Sequence, residues 1–260
     1  MPFCCNKDTV NRLSNQANYG TIECSNLCTE IMQVSRPDSY ACCCIGSISA
    51  PAHMLPRGNT PETCYDFKAL YKTVRQMAKN LDIVIDINVY PLPECRRNAL
   101  ETRAIGIGIQ GLADVFAALR IPFVSPLAEE IDLFIHETLY YAALSESCSR
   151  AKHFGKYPWY EGSPASRGLL QMDLWSAEME RREQFRGRNF RRLWDWPKLR
   201  AKIAQFGLRN SLLIALMPTV STSQILGNNE SFEPFEYNIY MKSTLHGKLT
   251  MVNRWMIRHL

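Results

Sequence analysis

Short apolar runs alternate along the chain with segments of helical periodicity, and this alternation most restricts the fold that the chain can adopt. Residues 65–87 place apolar side chains at the three- and four-residue spacing of an amphipathic helix, and Asp66 is a plausible start signal. Residues 104–109 and 211–216 are short continuous apolar runs, which are typical of buried strands. Strands that alternate with helices indicate a parallel α/β architecture.

The same criteria predict the remaining elements. Helices are predicted at 112–119, 126–154 and 196–206, with a short one after 217–219. Further strands are predicted at 21–28 and 40–48. Loops or connectors are predicted at 1–20, 51–63 and 157–166.

The composition is that of a soluble globular protein. At 260 residues the chain can bury one large core, and its 46% hydrophobic and 21% charged residues are ordinary values. No run approaches the ~18 apolar residues of a membrane span, and the N-terminus lacks the pattern of a secretion signal, so we expect a cytoplasmic location. The ten cysteines are clustered, which favours free thiols in a reducing compartment over a disulfide framework. No Cys-x-x-Cys pair is present, and we expect no metal site.

The net charge of +5 comes from one segment. Residues 181–192 hold six arginines and one glutamate, so the rest of the chain is formally neutral. A solvated loop is the simpler interpretation, and binding of phosphate or RNA is the alternative. We therefore do not expect nucleic acid as the main partner.

A thiol, an amide and a carboxylate lie within five residues at 26–30, and a second thiol, Cys43, follows fifteen residues after Cys28. In an extended segment successive side chains alternate between two faces, so Asn26, Cys28 and Glu30 are expected to point the same way. Such a face offers an amide, a redox-capable sulfur and a proton acceptor, which suits chemistry on a hydroxylated substrate. The alternative is that both cysteines are small hydrophobic residues of the core.

Several longer stretches occur in an order that resembles one family. They are SNQANYGTIECSNLCTEI, IDINVYPLPE, AIGIGIQGLADVFAALRIPF, HETLYYAALSESC and YEGSPASRGLLQMDLW, followed by LWDWPKLRAKIAQFGLRNSLLIALMPTVSTSQILGNNES. On these stretches the chain resembles the large, catalytic subunit of class I ribonucleotide reductase, of the eukaryotic and DNA-virus type. The resemblance implies an α/β fold, the second half of a ten-stranded α/β barrel with a central finger loop that carries Cys28. Residues 1–260 would then be a partial catalytic barrel domain.

The resemblance also implies roles in the reduction of ribonucleoside diphosphates to deoxyribonucleoside diphosphates for DNA precursor synthesis. Cys28 matches the cysteine that becomes a transient thiyl radical and removes the 3′ hydrogen of the substrate. Glu30 matches the carboxylate that takes the proton of the 3′-hydroxyl group. Asn26 matches the amide that hydrogen-bonds the substrate hydroxyls, and Leu27 and Thr29 complete the substrate-binding segment.

Two further elements of the site follow from the resemblance. Cys43 matches one of the two cysteines that reduce the 2′ position and end as a disulfide, although Cys42 or Cys44 stays an alternative. The segment PTVST matches the loop that holds the substrate phosphates; its hydroxyls and backbone N–H groups next to a helix start agree with that role. A capped helix start without a ligand is the alternative. The residues of this loop are Pro218, Thr219, Val220, Ser221 and Thr222.

The family has parts that find no match in this chain. They include the ATP-cone domain, the N-terminal half of the barrel, the partner cysteine of Cys43 and the radical-relay tyrosines. The resemblance implies that this chain binds no cofactor, that a metal-containing small subunit supplies the radical and that thioredoxin or glutaredoxin supplies reducing equivalents. We expect little activity from the chain without its missing half or a second large subunit. Residues 176–192 are longer than the family's connector and are expected to form a basic insertion loop.

Two patterns invite other interpretations. Residues 106–111 read G-x-G-x-x-G, but the strand before them is too short for a dinucleotide motif, so we expect the glycines to permit tight helix–strand packing. Tyr140 and Tyr141 fall in the middle of a predicted helix and are expected to be core residues. Besides the enzyme, two functions stay open: a non-catalytic remnant or decoy that binds reductase partners, and a nucleic-acid-binding protein that uses the arginines of 181–192.

Overall fold

The computed structural model describes residues 4–56, 58–180, 191–244 and 247–259, and helices are the main regular elements of this part of the chain. In chain order the helices are α1 (Lys7–Arg12), α2 (Pro61–Cys64), α3 (Phe67–Ile87), α4 (Pro93–Thr102), α5 (Leu112–Leu119), α6 (Pro126–Phe154), α7 (Gln171–Glu180), α8 (Trp196–Phe206), α9 (Thr222–Leu226) and α10 (Arg254–His259). The strands are β1 (Ile45–Ser49), β2 (Gly106–Gln110), β3 (Ile239–Thr244) and β4 (Gly247–Val252).

A small parallel sheet lies at the centre of the fold. β1 pairs in parallel with β2, from Ile45 opposite Gly106 to Ser49 opposite Gln110. On the other side of β2, the backbone N–H of Ile107 donates to the carbonyl of Leu213 at 2.9 Å, and segment 212–215 continues the sheet. All five residues of β2 are buried. The parallel pairing of these segments agrees with the α/β architecture that was predicted.

The glycines of the G-x-G-x-x-G pattern permit close packing within this sheet. A Cβ atom on Gly106 would lie 2.7 Å from the Cβ of Ala215, and one on Gly108 would lie 2.6 Å from the Ala215 carbonyl oxygen. Contacts this short do not occur, so both positions need glycine. Tight packing was predicted correctly, but these two glycines pack against a neighbouring strand segment and not against a helix.

The long helices follow their local signals. Asp66 accepts a hydrogen bond from the Ala69 backbone at 2.8 Å and caps α3, and Ser125 caps α6 in the same way. Gly155 and Gly207 end α6 and α8. α3 packs along α6 with its apolar face buried, so the predicted bounds of these helices are confirmed.

Three expectations from the sequence are wrong. Residues 21–28 form no strand, and of 40–48 only the part within β1 pairs. Part of 1–20 is helical as α1. The expected insertion loop 176–192 stays a prediction, and its first residues belong to α7. Residues 181–190, which carry four of the six arginines, lie outside the described residues. The elements that were not predicted are α1, α2, α4, α7, α10 and the β3–β4 hairpin.

A buried cluster of charged side chains joins two helices to the segments that lead into the parallel sheet. Asp82 of α3 is fully buried and accepts hydrogen bonds from Arg103 at 2.8 Å, from Arg150, and from Asn210 at 3.0 Å. Arg103 also binds Asp86 through two hydrogen bonds of 2.7 and 2.9 Å. These residues come from α3, the end of α4 just before β2, α6 and the segment before 212–215, so the Asp82 cluster holds these four parts of the chain together.

The described residues form a mixed α/β structure in which no closed barrel is seen. The antiparallel hairpin of β3 and β4 is separate from the parallel sheet. The broad class predicted from the sequence is confirmed at this level. No helix within the described ranges is long and apolar enough to span a bilayer.

Candidate functional site

Residues 26–31 form a tight loop. The backbone N–H of Thr29 donates to the carbonyl of Asn26 at 3.1 Å, and Thr29 has a positive φ of 63°. The side-chain oxygen of Asn26 accepts from the backbone of Ile31 at 3.0 Å. These bonds reverse the chain, so the prediction that Asn26, Cys28 and Glu30 share one face of an extended segment is wrong.

An asparagine takes the place of a strand partner for the segment before this loop. Asn11 of α1 accepts from the backbone N–H of Ile22 at 2.8 Å and donates to the Ile22 carbonyl at 3.0 Å. One amide side chain thus satisfies the backbone groups that a neighbouring strand would otherwise bind. The segment is held in place without becoming a strand.

Cys28 lies at the tip of the loop, where it is exposed. Leu27 beside it is 86% exposed, and the hydroxyl of Thr29 donates to the Cys28 carbonyl at 2.7 Å. This placement excludes the alternative that Cys28 is a core residue. The thiol is open to another molecule.

Glu30 and Cys43 line the same cavity, which has a volume of about 710 Å³. One carboxylate oxygen of Glu30, Oε2, is buried and has no hydrogen-bond partner in the described structure. Cys43 is exposed at the rim. Burial raises the pKa of its thiol, and the neighbouring Glu30 carboxylate raises it further. The structure therefore brings this base and this thiol together, while Cys28 is not part of the cavity lining.

The thiols on either side of Cys43 have other surroundings. Burial is the main cause and a hydrogen bond to Cys95 the second cause that raises the pKa of Cys42 to about 12. The sulfur of Cys44 lies 3.5 Å from the carbonyl oxygen of Leu81, and burial raises its pKa. All ten cysteines are free. Of the three neighbouring thiols, Cys43 alone is exposed.

The predicted phosphate loop follows segment 212–215 directly. Thr219 is buried, has a φ of 56°, and its hydroxyl oxygen accepts from the backbone of Ser231 at 2.8 Å. Ser221 makes no capping hydrogen bond with its side chain, so the alternative of a simple capped helix start finds no support. The helix α9 has only five residues, and a strong helix dipole is not available here.

Two polar residues that the sequence reasoning missed adjoin this loop. The hydroxyl of Ser47 in β1 lies 3.3 Å from that of Thr222 and accepts from the Gln110 amide at 3.2 Å. Gln110 is 1% exposed, and its side-chain oxygen has no partner among the described residues. A glutamine in an otherwise apolar strand was the available signal. None of the residues of 218–222 lines the Glu30–Cys43 cavity, so the structure does not bring these two parts together.

The two tyrosines and the described end of the arginine segment have packing roles. The hydroxyl of Tyr140 accepts from the backbone of Gln171 at 2.9 Å, and Tyr141 stacks on Trp194 with ring centroids 5.2 Å apart. Both pack against the core, as predicted. Arg191 forms ion pairs with Glu62 and Glu130, so this arginine is compensated within the chain.

The comparison with protein families places this α/β arrangement in a known class. A family model described as the ribonucleotide reductase barrel domain matches residues 1–260, and the chain belongs to this family. The chain is 47% identical over 259 residues to the ribonucleoside-diphosphate reductase large chain of Schizosaccharomyces pombe. It is 47% identical over 259 residues to that of Neurospora crassa, and 46% identical over 260 residues to the large subunit of Caenorhabditis elegans.

These alignments cover 100% of this chain but only 30%, 26% and 31% of the three relatives. The chain therefore spans about a third of the length of the large subunits that it matches. Those relatives are oxidoreductases by name.

Proposed function

We propose that this chain forms the second half of the ten-stranded catalytic barrel in the large subunit of a ribonucleoside-diphosphate reductase. In this proposal it contributes the radical cysteine, the general base and one reducing thiol for the conversion of ribonucleoside diphosphates to 2′-deoxyribonucleoside diphosphates. The other half of the barrel, from another chain or segment, completes the site, with loop 26–31 as the finger loop. A cytoplasmic reductase assembly is the expected setting.

The unpartnered carboxylate oxygen of Glu30 is the observation that carries this proposal. A buried acceptor without a hydrogen bond costs about 1–3 kcal/mol, so such a group is kept where a ligand satisfies it. The 3′-hydroxyl group of a ribonucleotide is a donor of the right kind. Glu30 then takes that proton while it faces the cavity it shares with Cys43.

Cys28 and Asn26 act on the same ribose from the loop. Cys28, as a thiyl radical, takes the 3′ hydrogen atom, and the exposed position of its sulfur allows close approach. The side-chain oxygen of Asn26 is already bound to the backbone of Ile31, which leaves its N–H groups to donate to a substrate oxygen. The radical itself comes from a metal-containing small subunit.

Cys43 and a second thiol supply two electrons at the 2′ position. The 2′-hydroxyl leaves as water, and the two thiols become a disulfide that thioredoxin or glutaredoxin reduces. Cys43 is preferred over its neighbours because Cys42 and Cys44 are engaged by Cys95 and Leu81. Its raised pKa keeps it as a thiol at neutral pH, and a thiol can deliver both a hydrogen and an electron.

The loop residues Ser221 and Thr222 supply hydroxyls for the diphosphate. Both are exposed, whereas the hydroxyl of Thr219 is already bound to the backbone of Ser231. Ser47 supports Thr222 from the sheet. Val220 lies between these groups and is 58% exposed.

A chimera tests the proposal. The segment of a related large subunit that aligns with this chain is replaced by residues 1–260, and reduction of cytidine diphosphate is measured with the small subunit present. We expect Cys28→Ser to abolish turnover and Glu30→Gln to lower kcat by about 10²–10⁴-fold, while substrate binding persists. Cys24→Ser, an exposed cysteine four residues earlier, is the matched control and should stay active. Turnover by the Cys28→Ser chimera would show that the mechanistic assignment is wrong.

A further inference from the structure

A second cavity, of about 530 Å³, lies on the other side of α6 from the candidate site. It is lined by Tyr71 and Arg75 of α3, by Tyr141 and Lys152 of α6, and by several residues between 193 and 206, among them Trp194, Lys198 and Lys202. It shares no lining residue with the Glu30–Cys43 cavity. Its volume falls within the ~300–1,000 Å³ of small-molecule pockets and is sufficient for one nucleotide.

The cavity is lined by more positively charged side chains than carboxylates. Its four permanent cations are Arg75, Lys152, Lys198 and Lys202, and its one carboxylate is Asp195. Glu146 binds Arg75 at 2.6 Å, which neutralises that arginine. Neither Lys198 nor Lys202 has an ion-pair partner among the described residues.

Two lysines of α8 place their positive charges next to each other at the cavity. Lys198 and Lys202 lie four residues apart on α8, so their charges face the same side and repel each other. Lys152 adds a third positive charge from α6, with its Nζ 5.0 Å from the ring centre of Phe206. Three positive charges around one cavity favour a ligand with several negative charges.

The wall of the cavity beside these lysines is aromatic and fixed in position. Trp194 stacks on both Tyr71 and Tyr141, with ring centroids 4.9 and 5.2 Å away, and the two tyrosine rings lie 6.1 Å from each other. The indole N–H of Trp194 donates to the Thr138 hydroxyl at 2.8 Å. The Tyr141 hydroxyl donates to the Asp195 carbonyl at 3.2 Å. A wall that is already ordered costs little entropy when a ligand binds.

We propose that this cavity binds a nucleoside triphosphate, with the phosphates on Lys152, Lys198 and Lys202 and the base against the Tyr71–Trp194–Tyr141 wall. The site is separate from the reduction chemistry and does not depend on it, since none of its residues belongs to the candidate catalytic set. Its ligand is recognised by two features together, several adjacent negative charges and a flat ring.

Calorimetric titration of the full 260-residue chain at low salt tests the proposal. ATP, tripolyphosphate and adenosine serve as three separate probes, and we expect the affinity to fall in that order. A charge-assisted contact contributes about tenfold or more in affinity, so Lys198→Ala/Lys202→Ala should weaken ATP binding at least about tenfold. Lys248→Ala, an exposed lysine of β4, is the control for the lost charge and should bind like the parent chain.

Two further variants test which part of the ligand the aromatic wall binds and whether ATP binds in the cavity or on the arginine segment. Tyr71→Ala should weaken ATP but leave tripolyphosphate unchanged, and unchanged tripolyphosphate binding also shows that the variant is folded. A variant with Arg181, Arg182, Arg186 and Arg188 changed to alanine should keep ATP binding. Three results would overturn the proposal. The lysine variant would bind ATP as tightly as the parent chain, adenosine would bind as tightly as ATP, or ATP binding would be lost only in the arginine variant. A preference for a single-stranded oligonucleotide over ATP at equal phosphate concentration would also overturn it.

Discussion

Removing the carboxylate of Asp82 should destabilise the fold more than any other single loss of an acidic side chain in α3. Asp82 is fully buried, and the side chains of Arg103 and Arg150 that bind it are only 3% and 11% exposed. Asp82→Ala leaves Arg150 with no carboxylate among its described contacts, and an uncompensated buried charge costs about 3–5 kcal/mol. That is a large part of the roughly 5–15 kcal/mol that stabilises a typical domain.

The neighbouring residue Asp86 offers a matched control. It also binds Arg103, but its side chain is 47% exposed, and Arg103 would keep Asp82 as a partner. Asp86→Ala should therefore cost no more than about 1 kcal/mol. The two substitutions remove the same group one helical turn apart and differ in burial and in the number of partners that lose their acceptor.

Urea unfolding followed by tryptophan fluorescence gives the free energy of unfolding of both variants. In thermal unfolding, a loss of 3–5 kcal/mol corresponds to a drop in the midpoint temperature of roughly 10 °C for a chain of this size. Because the Asp82 cluster connects the start of β2 with the segment before 212–215, hydrogen exchange should accelerate at the sheet in Asp82→Ala. Equal free energies of unfolding for the two variants would refute the argument that the buried ion pairs of Asp82 stabilise the fold.

The remaining predictions concern packing and thiol chemistry. Gly108→Ala should destabilise the chain by about 1–3 kcal/mol, because its Cβ would meet a backbone carbonyl oxygen at 2.6 Å. Gly46→Ala should cost less, since its Cβ would meet only the flexible side chain of Met77 at 2.8 Å; equal unfolding midpoints for the two would contradict this. With a pKa of about 12, Cys42 stays a thiol throughout the neutral and mildly alkaline range, so iodoacetamide should leave it unmodified at pH 8.5. Mass spectrometry of the labelled peptides checks this, and rapid labelling of Cys42 would show that its sulfur is not held as described.

Helices were predictable because their signals are local. The N-caps Asp66 and Ser125 and the terminal Gly155 and Gly207 stand within a few residues of the bonds they make, so the bounds of α3, α6 and α8 could be inferred directly. The helix α4 was missed because proline is an ambiguous signal. Pro93 lies in the first turn of α4, where its missing N–H has no cost, but proline also marks the end of a preceding helix.

The candidate site was predictable in its residues but not in its geometry. The thiol, amide and carboxylate of 26–30 are evident in the sequence, but their expected alternation assumed a strand. A strand requires a neighbouring backbone, and here the side chain of Asn11 binds Ile22 in its place. No local pattern reveals a partner that lies eleven residues away and acts through its side chain.

The amino-acid sequence was enough to predict the family, the α/β class and the identity of the candidate catalytic residues, because these depend on residue types, their order and short-range periodicity. Which of those residues lie together could be seen only in the folded chain. The tertiary structure placed Glu30 beside Cys43 in one cavity, left Cys28 exposed at the tip of a turn, and surrounded a separate cavity with Lys152, Lys198 and Lys202. These relations arise from contacts between segments far apart in the chain, and the packing of α3, α6 and the sheet around the Asp82 cluster is what brings those segments together.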